Sequence, residues 1–131
     1  MPVELRIAAY GAVLLLVHII IAVQAKNMQY GAKWNIGPRD EAVGAPNPIT
    51  GRLARAEANF LETFPIAIVA LLGVVIAGRT SGSTALGGWI WLGARIVYIP
   101  LYAAGVPVVR TLCWAVSIVG LAMVIWPLLF G

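Results

Sequence analysis

Apolar positions fall into four long runs, at about residues 5–25, 53–77, 84–104 and 108–130. Each approaches or exceeds the roughly 20 residues that cross about 30 Å of hydrocarbon. Backbone groups in lipid must be satisfied within their own segment, so the runs are expected to be helices. The first run is long for the apolar part of a secretion signal and shows no clear small-x-small cleavage site, which predicts a retained span. The connections are unequal. Gly78-Arg79-Thr80-Ser81-Gly82-Ser83 and Gly105-Val106-Pro107 are tight and make antiparallel neighbours of the spans they join. Residues 26–51 form one long loop containing Gly37-Pro38-Arg39-Asp40-Glu41 and Ala45-Pro46-Asn47-Pro48. Loops of this length are usually functional or disordered, and Tyr30 and Trp34 suit packing at the lipid headgroups. The expected fold is all-α and integral to the membrane, a single domain built as a four-transmembrane-helix antiparallel bundle.

Composition agrees with that pattern. Of 131 residues, 61% are hydrophobic and 11% charged, against about 45–50% and about 25% in soluble domains. The single cysteine, Cys113, excludes an internal disulfide and a cysteine-based metal site. Its apolar helical setting reads as a small buried hydrophobe. The net charge of +4 comes from basic residues scattered singly, which is no nucleic-acid signature and is better read as topology. Lys26, Lys33, Arg39, Arg52, Arg55 and Arg110 lie toward the long loop, Arg6 and Arg79 toward the other side. This asymmetry predicts a cytoplasmic long loop with both termini outside.

Polar residues inside the spans narrow the chemistry, since ionisable groups there are costly and usually functional. Arg55, Asn59 and Glu62 on the second span are spaced by four and three, and Arg95, Tyr98 and Tyr102 on the third by three and four. Each set stacks along one side of its helix. Glu62 and Arg95 both lie about 15 Å from the loop side at 1.5 Å per residue, so an ion pair between them is expected. A buried pair fixing helix register, with Asn59 as interhelical glue, would explain part of this. It would not use the surplus of Arg55, Arg95 and Arg110, which points to an anionic ligand. Pro65 is expected to kink the second span just after Glu62. His18, mid-span with no second ligand at metal spacing, reads as a hydrogen-bonded interhelical histidine. No metal motif, phosphate-binding glycine loop or catalytic triad is apparent in the sequence.

The series Arg55-x-x-x-Asn59-x-x-Glu62-x-x-Pro65, then Arg95-x-x-Tyr98-x-x-x-Tyr102 and Arg110, resembles the MAPEG family, membrane-associated proteins in eicosanoid and glutathione metabolism. The likeness spans nearly the whole chain and is most specific from the second span to the start of the fourth. It implies a homotrimer with glutathione as co-substrate, bound between subunits near the cytoplasmic face. Arg55, Asn59, Glu62, Arg95, Tyr98 and Tyr102 match residues that hold the tripeptide. Lys26 matches a basic residue that reaches glutathione from a neighbouring subunit. Arg110 matches the arginine assigned to stabilising the thiolate. Glu57 stands where some members have glutamine or histidine, and Thr63 where one has tyrosine. The long loop looks more like a bacterial subgroup than the eicosanoid synthases.

The resulting expectation is a glutathione transferase or peroxidase of the bacterial inner membrane, acting on hydrophobic electrophiles or lipid hydroperoxides that arrive from the bilayer. One rival is a non-catalytic, lipid-binding member, against which the retained Arg55, Asn59, Glu62, Tyr98 and Arg110 argue. The other is a small proton-coupled four-span transporter using Glu62. Arginines around such a carboxylate would hold it ionised and oppose proton release.

Overall fold

The computed structural model describes residues 1–39 and 44–131, so Asp40 and Glu41 of the long loop lie outside the described residues. The described chain forms helices α1 (Val3–Tyr30), α2 (Ala32–Ile36), α3 (Pro48–Ile76), α4 (Gly82–Ala103) and α5 (Pro107–Phe130). Four of them are long and apolar enough to cross a membrane. The protein is an all-helical membrane bundle.

Two helices run further than their apolar stretches. α1 continues to Tyr30, with Gln24, Lys26, Asn27 and Gln29 in its last turns. α3 begins at Pro48, whose fixed φ and missing N–H suit a first helical position. Asn47 caps it, accepting from the Thr50 amide at 2.9 Å. The long loop is therefore held between two polar helix ends, and Gln29 fastens it. The Gln29 side chain donates to the Ala45 carbonyl at 3.0 Å and accepts from the Asn47 amide at 2.9 Å. α3 is continuous through Pro65.

At the far end of the bundle, Ser81 and Thr84 form a reciprocal capping box at the start of α4. Thr84 also donates to the buried Glu4 of α1 at 2.7 Å. The turn from α4 to α5 passes through Gly105 at φ 73°, a left-handed conformation that glycine adopts without a Cβ penalty. The Arg52 guanidinium folds over that turn and donates to the Ala103 carbonyl at 3.4 Å.

α3 is the central element, packed against α1, α4 and α5, while α4 and α5 pair along their length. Ile7 and Leu14 of α1, Phe60 and Leu71 of α3, Trp91 of α4 and Val124 of α5 belong to the core. Leu16, Ile20, Val69, Leu112 and Val119 point outward. An apolar exterior is what a lipid-solvated bundle presents, because lipid tails penalise it no more than a protein interior does.

Candidate functional site

At the loop end, α3, α4 and α5 enclose a cleft of about 240 Å³ lined by Asn59, Tyr98, Tyr102, Arg110, Thr111 and Trp114. α4 supplies the two tyrosines one turn apart, with ring centroids 5.4 Å from each other. α5 starts at Pro107 immediately after the Gly105 turn, which carries Arg110 back alongside the end of α4. The short connection thus places Arg110 beside Tyr102, its Cζ 4.4 Å from the ring centroid. From α3, Arg55 donates through Nε to the Tyr102 hydroxyl at 3.3 Å, its Cζ 6.0 Å from that ring.

One phenol ring therefore has a guanidinium from each of two helices beside it. Cation–π contact and the hydroxyl bond fix the two cations without neutralising them. No carboxylate pairs with either among the described residues. A site of this kind favours an anion with more than one acceptor group.

Arg95 is fully buried behind the cleft. Its Nη1 donates to Asn59 Oδ1 at 2.8 Å, and its Cζ lies 4.3 Å from the Tyr98 ring centroid. Because the Asn59 oxygen is committed to Arg95, the carboxamide turns its N–H donors away from that bond. Arg95 thus orients a residue of the cleft wall.

The ion pair expected between Glu62 and Arg95 does not form within the chain. Arg95 takes Asn59 as its partner, and Glu62 is exposed on the outside of α3. Residue spacing bears on depth along the helix and leaves azimuth open. At 3.6 residues per turn, Glu62 returns nearly to the azimuth of Arg55, while Asn59 is turned about 40° from Arg55. That turn brings Asn59 toward the buried stripe of Ala56, Phe60, Thr63 and Ala67. Arg55 and Glu62 face outward, and Asn59 sits at the boundary.

Of the sequence-predicted residues, Asn59, Tyr98, Tyr102 and Arg110 meet in the cleft, and Arg55 joins them through Tyr102. Arg95 stands behind them, Glu62 lies outside, and Lys26 lies half-buried near the loop end of α1, away from the cleft lining. His18 is buried between helices as expected, stacked on Phe60 with centroids 5.0 Å apart. Neither ring nitrogen has a partner among the described residues. Phe60 lies against the ring, and the Arg95 and Trp91 groups that share Phe60 with it bond neither nitrogen. Cys113 bridges α5 to α4, its Sγ 3.0 Å from the Ala94 carbonyl, which suits a structural thiol.

Two lining residues were missed from sequence, Thr111 and Trp114. The Thr111 hydroxyl is occupied, donating to the Pro107 carbonyl at 3.0 Å. The Trp114 indole N–H is buried without a partner among the described residues. Its signal was available, because Trp114 follows Arg110 by four residues and so shares its helix face.

Comparison with curated proteins finds no match for the chain. Comparison with family models finds one that matches residues 7–130, nearly its full length. By that match, and with the arginines and tyrosines of the motif gathered at one end of a four-span bundle, the chain belongs to the MAPEG family.

Proposed function

We propose that the protein is a glutathione transferase that conjugates glutathione to hydrophobic electrophiles drawn from the bilayer, or reduces lipid hydroperoxides with it. The observation that carries this reading is the arrangement of Arg55 and Arg110 about Tyr102 at the mouth of a cleft, both without a carboxylate partner among the described residues. Glutathione brings two carboxylates, one ammonium and a thiol. Arg55 and the Asn59 amide take carboxylate oxygens, Tyr98 and Tyr102 line the peptide, and Arg110 stands over the sulfur. A guanidinium there favours the thiolate, which is the nucleophile. In conjugation, the sulfur forms a bond to an electrophilic carbon, and the leaving group departs with its electron pair. In peroxide reduction, two thiols give one disulfide while the hydroperoxide becomes alcohol and water.

Glu62 supports assembly as a homotrimer. A carboxylate on the outside of a spanning helix costs about 2.5–3.5 kcal/mol at the bilayer centre on insertion scales, so a second copy is the favoured neighbour. In that arrangement Glu62 pairs with the ammonium of glutathione at a subunit boundary, and Lys26 of an adjacent copy completes the site. Arg95 acts by holding Asn59. The long loop and the cleft face the cytoplasm on the charge asymmetry of the connections.

Detergent-purified protein should bind glutathione at millimolar concentration or below and conjugate it to a generic aryl halide. Arg110→Ala should lower kcat on the order of 100-fold or more, the scale seen when one transition-state charge stabiliser is removed, with glutathione still bound. Glu62→Gln should weaken binding instead. Failure of wild-type protein to bind glutathione at several millimolar would reject the reading. Binding without any turnover would place the protein among the non-catalytic members.

A further inference from the structure

Three of the fully buried side chains gather on one ring in the middle of the bundle. Phe60 of α3 has Trp91 of α4 at 5.9 Å and His18 of α1 at 5.0 Å between ring centroids, and Arg95 Cζ at 5.4 Å. Trp91 and Arg95 are four residues apart and share a face of α4. All four side chains, Phe60 included, are 0% exposed. Arg95 Nη1 is used by Asn59. Arg95 Nε and Nη2, Trp91 Nε1 and both nitrogens of His18 have no partner among the described residues.

The chemistry of this set is lopsided. Guanidinium and indole N–H groups only donate, and imidazole contributes at least one donor. Arg95 adds a full positive charge that no carboxylate balances among the described residues. A water molecule accepts two hydrogen bonds but brings two hydrogens of its own into a donor-rich space, and it leaves the charge standing. A small anion accepts from every donor and cancels the charge. A carboxylate of a ligand in the cleft does not meet this need, because Nε and Nη2 are sealed and only Nη1 reaches the cleft wall through Asn59.

We propose that the bundle core binds one chloride-sized monovalent anion, held by Arg95 Nε and Nη2 together with His18 and Trp91. The anion compensates Arg95 from the inside and lets its remaining nitrogen hold Asn59 from the other side. This site is separate from the thiol chemistry and stands whether or not glutathione is the substrate.

The test uses full-length protein in detergent, unfolded thermally in sodium chloride, sodium bromide or sodium gluconate at equal ionic strength. Chloride and bromide should raise Tm saturably, as a ligand bound only by the folded state does, and gluconate should not. Bromide-soaked crystals should show an anomalous peak beside Arg95 and His18. His18→Leu should move the half-saturating bromide concentration up about tenfold or more, the loss of one hydrogen bond to a charged group. His18→Gln, which keeps a donor, should stay near wild type. Arg95→Met, where it folds, should abolish the halide response. A wild-type Tm indifferent to halide, a bromide peak found only elsewhere, or water refined at the cluster in high halide would each overturn the proposal.

Discussion

The two ends of the bundle are held together by different means. In the far half, helices approach until their backbones touch. A Cβ on Gly120 of α5 would lie 2.5 Å from the Gly87 carbonyl oxygen and 2.7 Å from the Trp91 amide of α4. A Cβ on Gly88 would meet Ile7 at 2.7 Å, and one on Gly11 would meet Phe64 and Trp91 at 2.9 Å. In the loop half, the same helices stand around a cleft, and their contacts run through Arg55, Asn59, Arg95, Tyr102 and Arg110. Lipid provides no hydrophobic drive between helices, so small residues and close van der Waals contact must supply cohesion. The far half meets that need, and the loop half is thereby free to hold charge that packing alone would not justify.

The sharpest way to break this division is at Gly120. Gly120→Val places a branched side chain against backbone atoms, which no rotamer change relieves. Its destabilisation should exceed the usual 1–3 kcal/mol of overpacking, at about 3 kcal/mol or more. The expected result is loss of a cooperative thermal transition and of a single species in gel filtration. Near-normal Tm would show that α4 and α5 can separate freely. Gly93→Ala is the matched control, since a Cβ there meets nothing within 4 Å.

A smaller but still structural effect belongs to the polar tie of the far half. Thr84→Val keeps the shape of the side chain and removes the hydroxyl that serves Glu4 and the Ser81 amide. A hydrogen bond to a charged group contributes about 1.5–3 kcal/mol, so stability should fall by about 2 kcal/mol while glutathione affinity holds. Thr84→Ser should recover most of the loss. A stability unchanged in Thr84→Val would mean that Glu4 finds another partner.

Much of this was legible in the sequence, for identifiable reasons. Four apolar runs specify four spans because length and hydropathy are nearly sufficient in lipid. The grouping of Asn59, Tyr98, Tyr102 and Arg110 was legible because helical spacing and short connections set both face and depth. Glu62 shows the limit: spacing gives a face of its own helix but not what that face meets. The extra turns of α1 and α3 were hidden by their polar composition, although Asn47-Pro48 is a helix-start signal. Trp114 was passed over because an aromatic residue in an apolar span usually reads as packing. The missing partners of His18 were beyond reach, since an unsatisfied nitrogen depends on two other helices at once.

Tyr102→Phe should sharpen the comparison with the smallest structural change. It removes one hydroxyl from a half-buried ring and leaves the ring beneath Arg110. The lost bond is 3.3 Å long and its donor, Arg55, is exposed, so solvent can replace it. Stability should change by less than about 1 kcal/mol, the scale of an ordinary hydrogen bond. Binding is another matter. The hydroxyl is what directs the Arg55 guanidinium toward the cleft, and a freed arginine side chain spreads over several rotamers that must be ordered again when a carboxylate arrives. Side-chain ordering at a binding site costs about 0.5–1.5 kcal/mol, which predicts a rise of several-fold in the glutathione Kd by calorimetry, with kcat nearly unchanged. If Tm fell by many degrees while affinity held, Tyr102 would belong to the packing that defines the far half, and the division between cohesive and ligand-holding ends would fail at its central residue.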